Sequence, residues 1–214
     1  MAFHLYDRQL WERSQYYDYY RNIIKTRYTL TAHIDITKLL GEIREKSLKF
    51  YPVFIYILMK AVNEQKEMRM SLDAQKNPGY WDECHPSYTV FHKDNCTFSD
   101  IWTEYSSDFQ TFYGRVTEDM DKYGDIRKIK AKPGQPPNFT SISCVPWLNY
   151  GSYAIDTYSE SDMLFPIILF GKYEQSKGTV MMPVSVSMDH AAADGYHVCR
   201  FFNRVKELCS TINL

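Results

Sequence analysis

Apolar and polar positions change period several times along the chain, and the sharpest change lies near its end. Residues 179–186 form an apolar, β-prone run. Beyond it Val198, Phe201, Phe202, Val205, Leu208 and Cys209 recur at the intervals of an amphipathic helix. A strand over 179–188 therefore gives way to a turn and then to a final helix. Earlier, 28–34 alternates as a half-buried strand does. Asp35-Ile36-Thr37 opens a short helix running through Leu39, Leu40 and Ile43. Phe50-Tyr51-Pro52 begins a strongly apolar helix over 53–67, whose Phe54, Ile55, Leu58, Met59 and Val62 are core. A first helix is expected over 10–22, with Asp7 as its cap.

The middle of the chain reads as strands. Segments 68–72 and 80–83 flank a turn rich in Asn, Pro and Gly, and 87–91 and 97–104 form a further pair. Ser106-Ser107-Asp108 caps a helix to about 123. Residues 128–137 are an exposed loop, too short to divide domains. Strands are then expected at 139–144, 150–157, 166–173 and 179–188. Helices gather at the two ends around many strands. The fold expected is α+β, a two-layer sandwich of a mixed, largely antiparallel sheet with helices, in a single domain over 1–214.

Composition narrows the picture. The formal net charge of the 214 residues is -1, so nothing points to nucleic acid or an anionic membrane. No apolar run approaches the ~20 residues of a membrane span, and the first residues do not read as a signal peptide. The five cysteines are odd in number and include no C-x-x-C, which favours reduced thiols in a cytoplasmic protein over a disulfide frame or a zinc site. No metal is expected. No Gly-rich phosphate loop is present, so a nucleotide has to be held some other way.

The chemistry concentrates in the string from Ser187 to His197. His190 sits where the strand ends, followed by three alanines and the turn signal Asp194-Gly195. An imidazole at such a junction can face a cleft, and it is the side chain best matched to proton transfer near neutral pH. Read alone, Ser143 is a small polar residue on a strand, and Arg13 is a surface cation on a first helix.

The string His-x-x-x-Asp-Gly resembles the signature of the chloramphenicol acetyltransferase family, shared with the dihydrolipoyl acyltransferase cores. The resemblance extends to Trp11, Arg13, Tyr20-Arg21, Asp35-Ile36-Thr37, Lys49-Phe50-Tyr51-Pro52-Val53, Tyr88-Thr89-Val90-Phe91-His92, Tyr105-Ser106-Ser107-Asp108, Ser143-Cys144-Val145-Pro146-Trp147, Gly171-Lys172-Tyr173 and Arg200-Phe201. The dihydrolipoyl cores share the final string but not the others.

The resemblance implies a homotrimer with each active site in a cleft between subunits, and transfer of acetyl from the co-substrate acetyl-CoA to a primary hydroxyl of chloramphenicol. It makes His190 the general base and Ser143 the donor to the oxyanion. Asp194 pairs with Arg13 and braces the turn. Tyr20, Phe98, Tyr153 and Ile155 match acceptor-pocket positions, and Trp147 matches one on the CoA side. Four departures bear on the acceptor. Asp189 stands where a second His is common, Ala192-Ala193 replace Val-Cys, Leu169 replaces a threonine, and Tyr19, Tyr153 and Thr157 suggest a more polar site. Two rivals stay open: an enzyme of the same fold acting on another hydroxyl compound, and a non-catalytic protein that traps chloramphenicol or another hydrophobic ligand.

Overall fold

The computed structural model describes residues 1–156, 162–211 and 213–214. The chain opens with a short strand, β1 (Phe3–Leu5), that the sequence pattern does not announce. The first helix, expected over 10–22, begins only at α1 (Ser14–Asp18) and passes into a π-helical turn, Tyr19–Ile23. The reason lies at Asp7, which caps a turn instead of the helix. Its carboxylate accepts from the Gln9 amide and its carbonyl from those of Leu10 and Trp11. Trp11 is stacked on Tyr6, with ring centroids 4.1 Å apart.

Strand β2 (Arg27–Asp35) and α2 (Thr37–Glu45) follow as expected. Helix α3 (Phe50–Asn63) is buried along most of its length, starts at Phe50, where the Phe50-Tyr51-Pro52 string begins it, and stops before 67. Pro52 sits in its first turn, where a missing amide hydrogen costs little. A 3₁₀ turn, Lys66–Arg69, leads to β3 (Met70–Leu72) and β4 (Pro78–Trp81). These two pair with β1 in a small antiparallel sheet, ordered β1-β4-β3.

The hairpin β5 (His85–His92) and β6 (Thr97–Trp102) precedes α4 (Phe109–Tyr123). Asp108 caps that helix, accepting from the Thr111 amide at 2.9 Å. Strands β7 (Phe139–Val145), β8 (Ile167–Gly171), β9 (Glu174–Ser176) and β10 (Thr179–Asp189) complete a second sheet, and α5 (Gly195–Thr211) closes the fold. The order is β2-β10-β8-β7-β5-β6, with β9 on β10. Pairing is antiparallel except at β7, which runs parallel to both neighbours. The strand expected over 150–157 is a correction: among its described residues, 150–156, none is a strand.

One face of the large sheet supplies Ile34, Tyr88, Ile101, Ile142, Ile168, Phe170, Val184 and Val186 to a single cluster with the buried sides of α2 to α5. The other face is different in kind. There Thr31 and Ser185 share a hydroxyl hydrogen bond of 2.7 Å, and Ser185 reaches Tyr150 at 3.2 Å. Tyr150 donates in turn to the Leu169 carbonyl at 2.9 Å. This bond, together with Lys172 N–H donating to the Leu148 carbonyl, lays the segment after β7 across β8. Gly171 permits the crossing, because a Cβ there would stand 2.7 Å from the Leu148 oxygen.

Candidate active site

His190 follows the last residue of β10, and its amide donates to the Thr26 carbonyl at 3.0 Å. The turn behind it is closed by Asp189, whose carboxylate accepts from the Ala191 amide and whose carbonyl accepts from those of Ala192 and Ala193. Ala191, Ala192 and Ala193 are fully buried, so this corner has no volume for larger side chains. The His190 ring lies flat on Tyr20, with centroids 3.7 Å apart and planes 9° apart, and Tyr28 leans on it from β2. The Tyr28 hydroxyl donates to the Ala193 carbonyl, and burial raises its pKa.

The imidazole is oriented from behind. Its Nδ1 is buried and 3.3 Å from a carboxylate oxygen of Asp194, off the line that a hydrogen bond requires. The other oxygen of that carboxylate pairs with Arg13, and Arg13 also donates to the His190 carbonyl at 3.3 Å. Arg13 and Asp194 are therefore paired beside the His190 turn. Asp189 does not extend that pairing. Burial raises the pKa of that carboxyl, and the group serves the turn; across the ladder stands Arg27. Arg27 spends its donors on Ser187 and on the carbonyls of Met163 and Phe165, tying the segment that enters β8 to the base of the His190 turn.

Ser143 belongs to a different place. Strands β5 and β7 pair only as far as Tyr88 and Ile142. Beyond that point β5 stays with β6 and β7 stays with β8, so the two parallel strands part. A cavity of about 740 Å³ occupies the fork, lined by Thr89, Val90 and Phe91 on one side and Ser143, Cys144 and Val145 on the other. Residues of both sheet faces reach it, Phe50, Tyr51 and Phe170 from the helix layer and Phe98 and Trp147 from the rim. Parting two strands strands backbone groups, and each buried one needs a partner. The Tyr51 hydroxyl supplies one by donating to the Thr89 carbonyl at 2.8 Å; its pKa is raised, chiefly by burial. Burial likewise pushes the Cys144 thiol up to about 12.

The nominated residues thus fall into two groups. His190, Asp194, Arg13 and Tyr20 come together at the end of β10. Ser143, Phe98 and Trp147 come together at the fork, with Phe98 and Trp147 largely exposed and Trp147 edge-on to Phe91. Tyr153 and Ile155 join neither group, although the Tyr153 ring lies near Tyr150. Thr157 lies outside the described residues.

Ladder register gives the distance between the groups. Ser143 is level with Leu169, Leu169 with Ser185, and His190 is five residues beyond Ser185. At ordinary rises and strand spacings that is roughly 20 Å. One reacting centre cannot touch both within a single chain. The hydroxyl-lined sheet face, Arg27 and Tyr51 were not singled out from the sequence, since each depends on pairings between distant segments. His197 was within reach of sequence reasoning: it stands three residues after Asp194, the spacing of a reciprocal helix cap.

Comparison with known proteins gives a consistent result. The family model described as chloramphenicol acetyltransferase matches residues 1–206. A chloramphenicol acetyltransferase of Clostridium perfringens is 45% identical over 210 residues, covering 98% of this chain and 96% of that protein. Among solved structures, a chloramphenicol acetyltransferase superposes with a TM-score of 0.85 at 20% identity, covering 96% of this chain and 99% of the other. The cubic core of a pyruvate dehydrogenase multienzyme complex superposes with a TM-score of 0.64 at 18% identity, over 86% and 81% of the two chains. The last two likenesses show a common fold.

Proposed function

Because the chain belongs to the chloramphenicol acetyltransferase family, we propose that it transfers acetyl from acetyl-CoA to the primary (3-) hydroxyl of chloramphenicol, conferring resistance, and that it works in the cytoplasm as a homotrimer. The observation that carries this reading is the separation of the two groups. A base without an oxyanion donor and a donor without a base, roughly 20 Å apart in one chain, make a working site if two copies meet. In a cyclic trimer every contact is the same heterologous one, so the His190 turn of each copy can face the fork of the next, with three equivalent sites.

In such a cleft acceptor and donor are bound together. With the ring proton on Nδ1 beside Asp194, Nε2 keeps its lone pair for the acceptor hydroxyl. The alcohol oxygen forms its bond to the thioester carbonyl carbon as its proton passes to Nε2. The carbonyl oxygen becomes an oxyanion and accepts a hydrogen bond from Ser143 of the neighbouring copy. Collapse of that intermediate breaks the C–S bond, and the His190 proton leaves with the CoA sulfur. No acyl-enzyme is formed. General-base assistance of this kind contributes ~10²–10⁴-fold, and a single oxyanion donor roughly 2.7–4 kcal/mol. Tyr20 holds the base in plane by stacking, while Phe98 and Trp147 at the fork offer apolar contact to the substrates; Tyr153 and Ile155 are assigned to the acceptor pocket by the family resemblance alone.

The decisive experiment is incubation with acetyl-CoA and chloramphenicol, identifying the product by mass while following thiol release. A mono-acetylated product, lost in His190→Ala, is the expected outcome. Thiol release with another alcohol but not with chloramphenicol overturns the acceptor assignment. Binding and cellular protection left intact in His190→Ala overturn the catalytic reading itself.

A further inference from the structure

We infer that His197 is a positioning residue for the transfer proposed above, a neutral imidazole that holds the backbone of Asp194 and through it the brace behind His190. The inference rests on that reading of His190. It begins with an amide. Helix α5 starts at Gly195, and Asp194 stands in front of it, its carbonyl accepting from the amides of His197 and Val198 at 3.0 and 3.3 Å. The side chain of a capping aspartate ordinarily turns back onto those first amides. Here the carboxylate is turned away, onto Arg13 and toward His190 Nδ1. What fixes Asp194 to the helix from the other side is His197, whose Nδ1 accepts from the Asp194 amide at 3.1 Å. The arrangement is one half of a capping box, with an imidazole in the place usually held by Glu or Gln.

This bond settles the tautomer of His197. An amide N–H can only donate, so Nδ1 carries no proton and the neutral ring holds its hydrogen on Nε2. Nε2 lies 3.8 Å from Glu67 on the 3₁₀ turn. The other charged groups that bear on the ring are Arg13, ahead of α1, and Asp194 and Arg200 on the helix side. Burial is the largest influence and lowers the imidazole pKa, with Glu67 opposing it.

Two histidines therefore meet on one aspartate, His190 at its carboxylate and His197 at its amide. Protonating His190 removes the base. Protonating His197 sets N–H against N–H, so the ring or Asp194 has to move and the brace is lost. Turnover therefore needs the His197 ring neutral, and its protonation adds to the acid limb of the pH–rate profile.

The test is the profile of kcat/KM with acetyl-CoA and chloramphenicol between about pH 5 and 8, with circular dichroism verifying that the protein stays folded. Wild type is expected to lose activity more steeply on the acid side than His197→Asn does. His197→Asn, whose amide oxygen can occupy the Nδ1 position, is expected to retain more activity than His197→Ala. His197→Ala loses between about tenfold and a hundredfold in kcat with KM little changed. The imidazole nitrogen resonances provide a measurement independent of activity, with Nδ1 of His197 expected to be unprotonated at neutral pH. Equal acid limbs in wild type and His197→Asn together with equal losses in the Asn and Ala variants, or a protonated Nδ1, overturns the role of His197 while leaving His190 untouched. Turnover surviving in His190→Ala overturns the underlying reading and this one with it.

Discussion

The His190 turn and the Ser143 fork are made by opposite means. At the turn, a short stretch of backbone is held from several directions: by Asp189 beneath, Arg13 behind, Tyr20 and Tyr28 against the ring, and three buried alanines packed beside it. At the fork, structure is withheld. Two strands stop pairing, one tyrosine hydroxyl partners the carbonyl this leaves without a ladder bond, and the rim is left to rings that water still reaches. In the proposed trimer the base needs one orientation and its own chain provides it, while the walls of the fork are completed by the copy that docks there.

The comparison breaks most visibly if each half proves sufficient alone. His190→Ala is expected to lower kcat by ~10²–10⁴-fold, and Ser143→Ala by ~10²–10³-fold, in steady-state assays of thiol release. Mixing the two variants after dissociation and reassembly sharpens the contrast. A cleft built from two copies regains activity in the mixture, up to roughly a quarter of the wild-type level, whereas a site within one chain regains none.

Arg13→Ala tests how far the turn depends on its brace. A loss of about tenfold to a hundredfold in kcat is expected from a misplaced imidazole. Little thermal destabilisation should accompany it, since the Asp194 carboxylate is about a third exposed and its pairing is screened. The turn should also carry its own acid sensitivity. With its pKa lowered by burial, His197 binds fewer protons in the folded chain than in the unfolded one. Its contribution is complete above the ordinary histidine value of ~6.5 and is lost as pH falls through the lowered value. Thermal midpoints should therefore drop across that window, and less so in His197→Asn.

The smallest expected effect is at the fork. Tyr51→Phe leaves the Thr89 carbonyl without its partner, at a cost of about 1–3 kcal/mol, to be read from denaturant midpoints. A tyrosine that merely packs would show almost none.

What the sequence discloses follows the same divide. Contiguous strings with strong local rules were readable: the Asp108 cap, the passage from β10 into α5, and the pairing of Arg13 with Asp194 through the family resemblance. Features set by partners distant in sequence were not. The fork is a disagreement between β5 and β7, and nothing in either strand taken singly marks where they separate. Strands β1 and β9 have only three residues each, and β9 is wholly exposed, so no alternation could signal it. The segment 150–156 lies between expected strands and reads as another, yet its Tyr150 bonds the Leu169 carbonyl from outside the ladder.

The hydroxyl that Tyr51 lends to Thr89 has a kinetic meaning. Because that carbonyl already has a permanent partner, the gap between the strands is a standing doorway and needs no unzipping when a guest arrives. Entry of an acyl donor should accordingly run as one exponential whose rate climbs in proportion to concentration, with no plateau from a slow hinge.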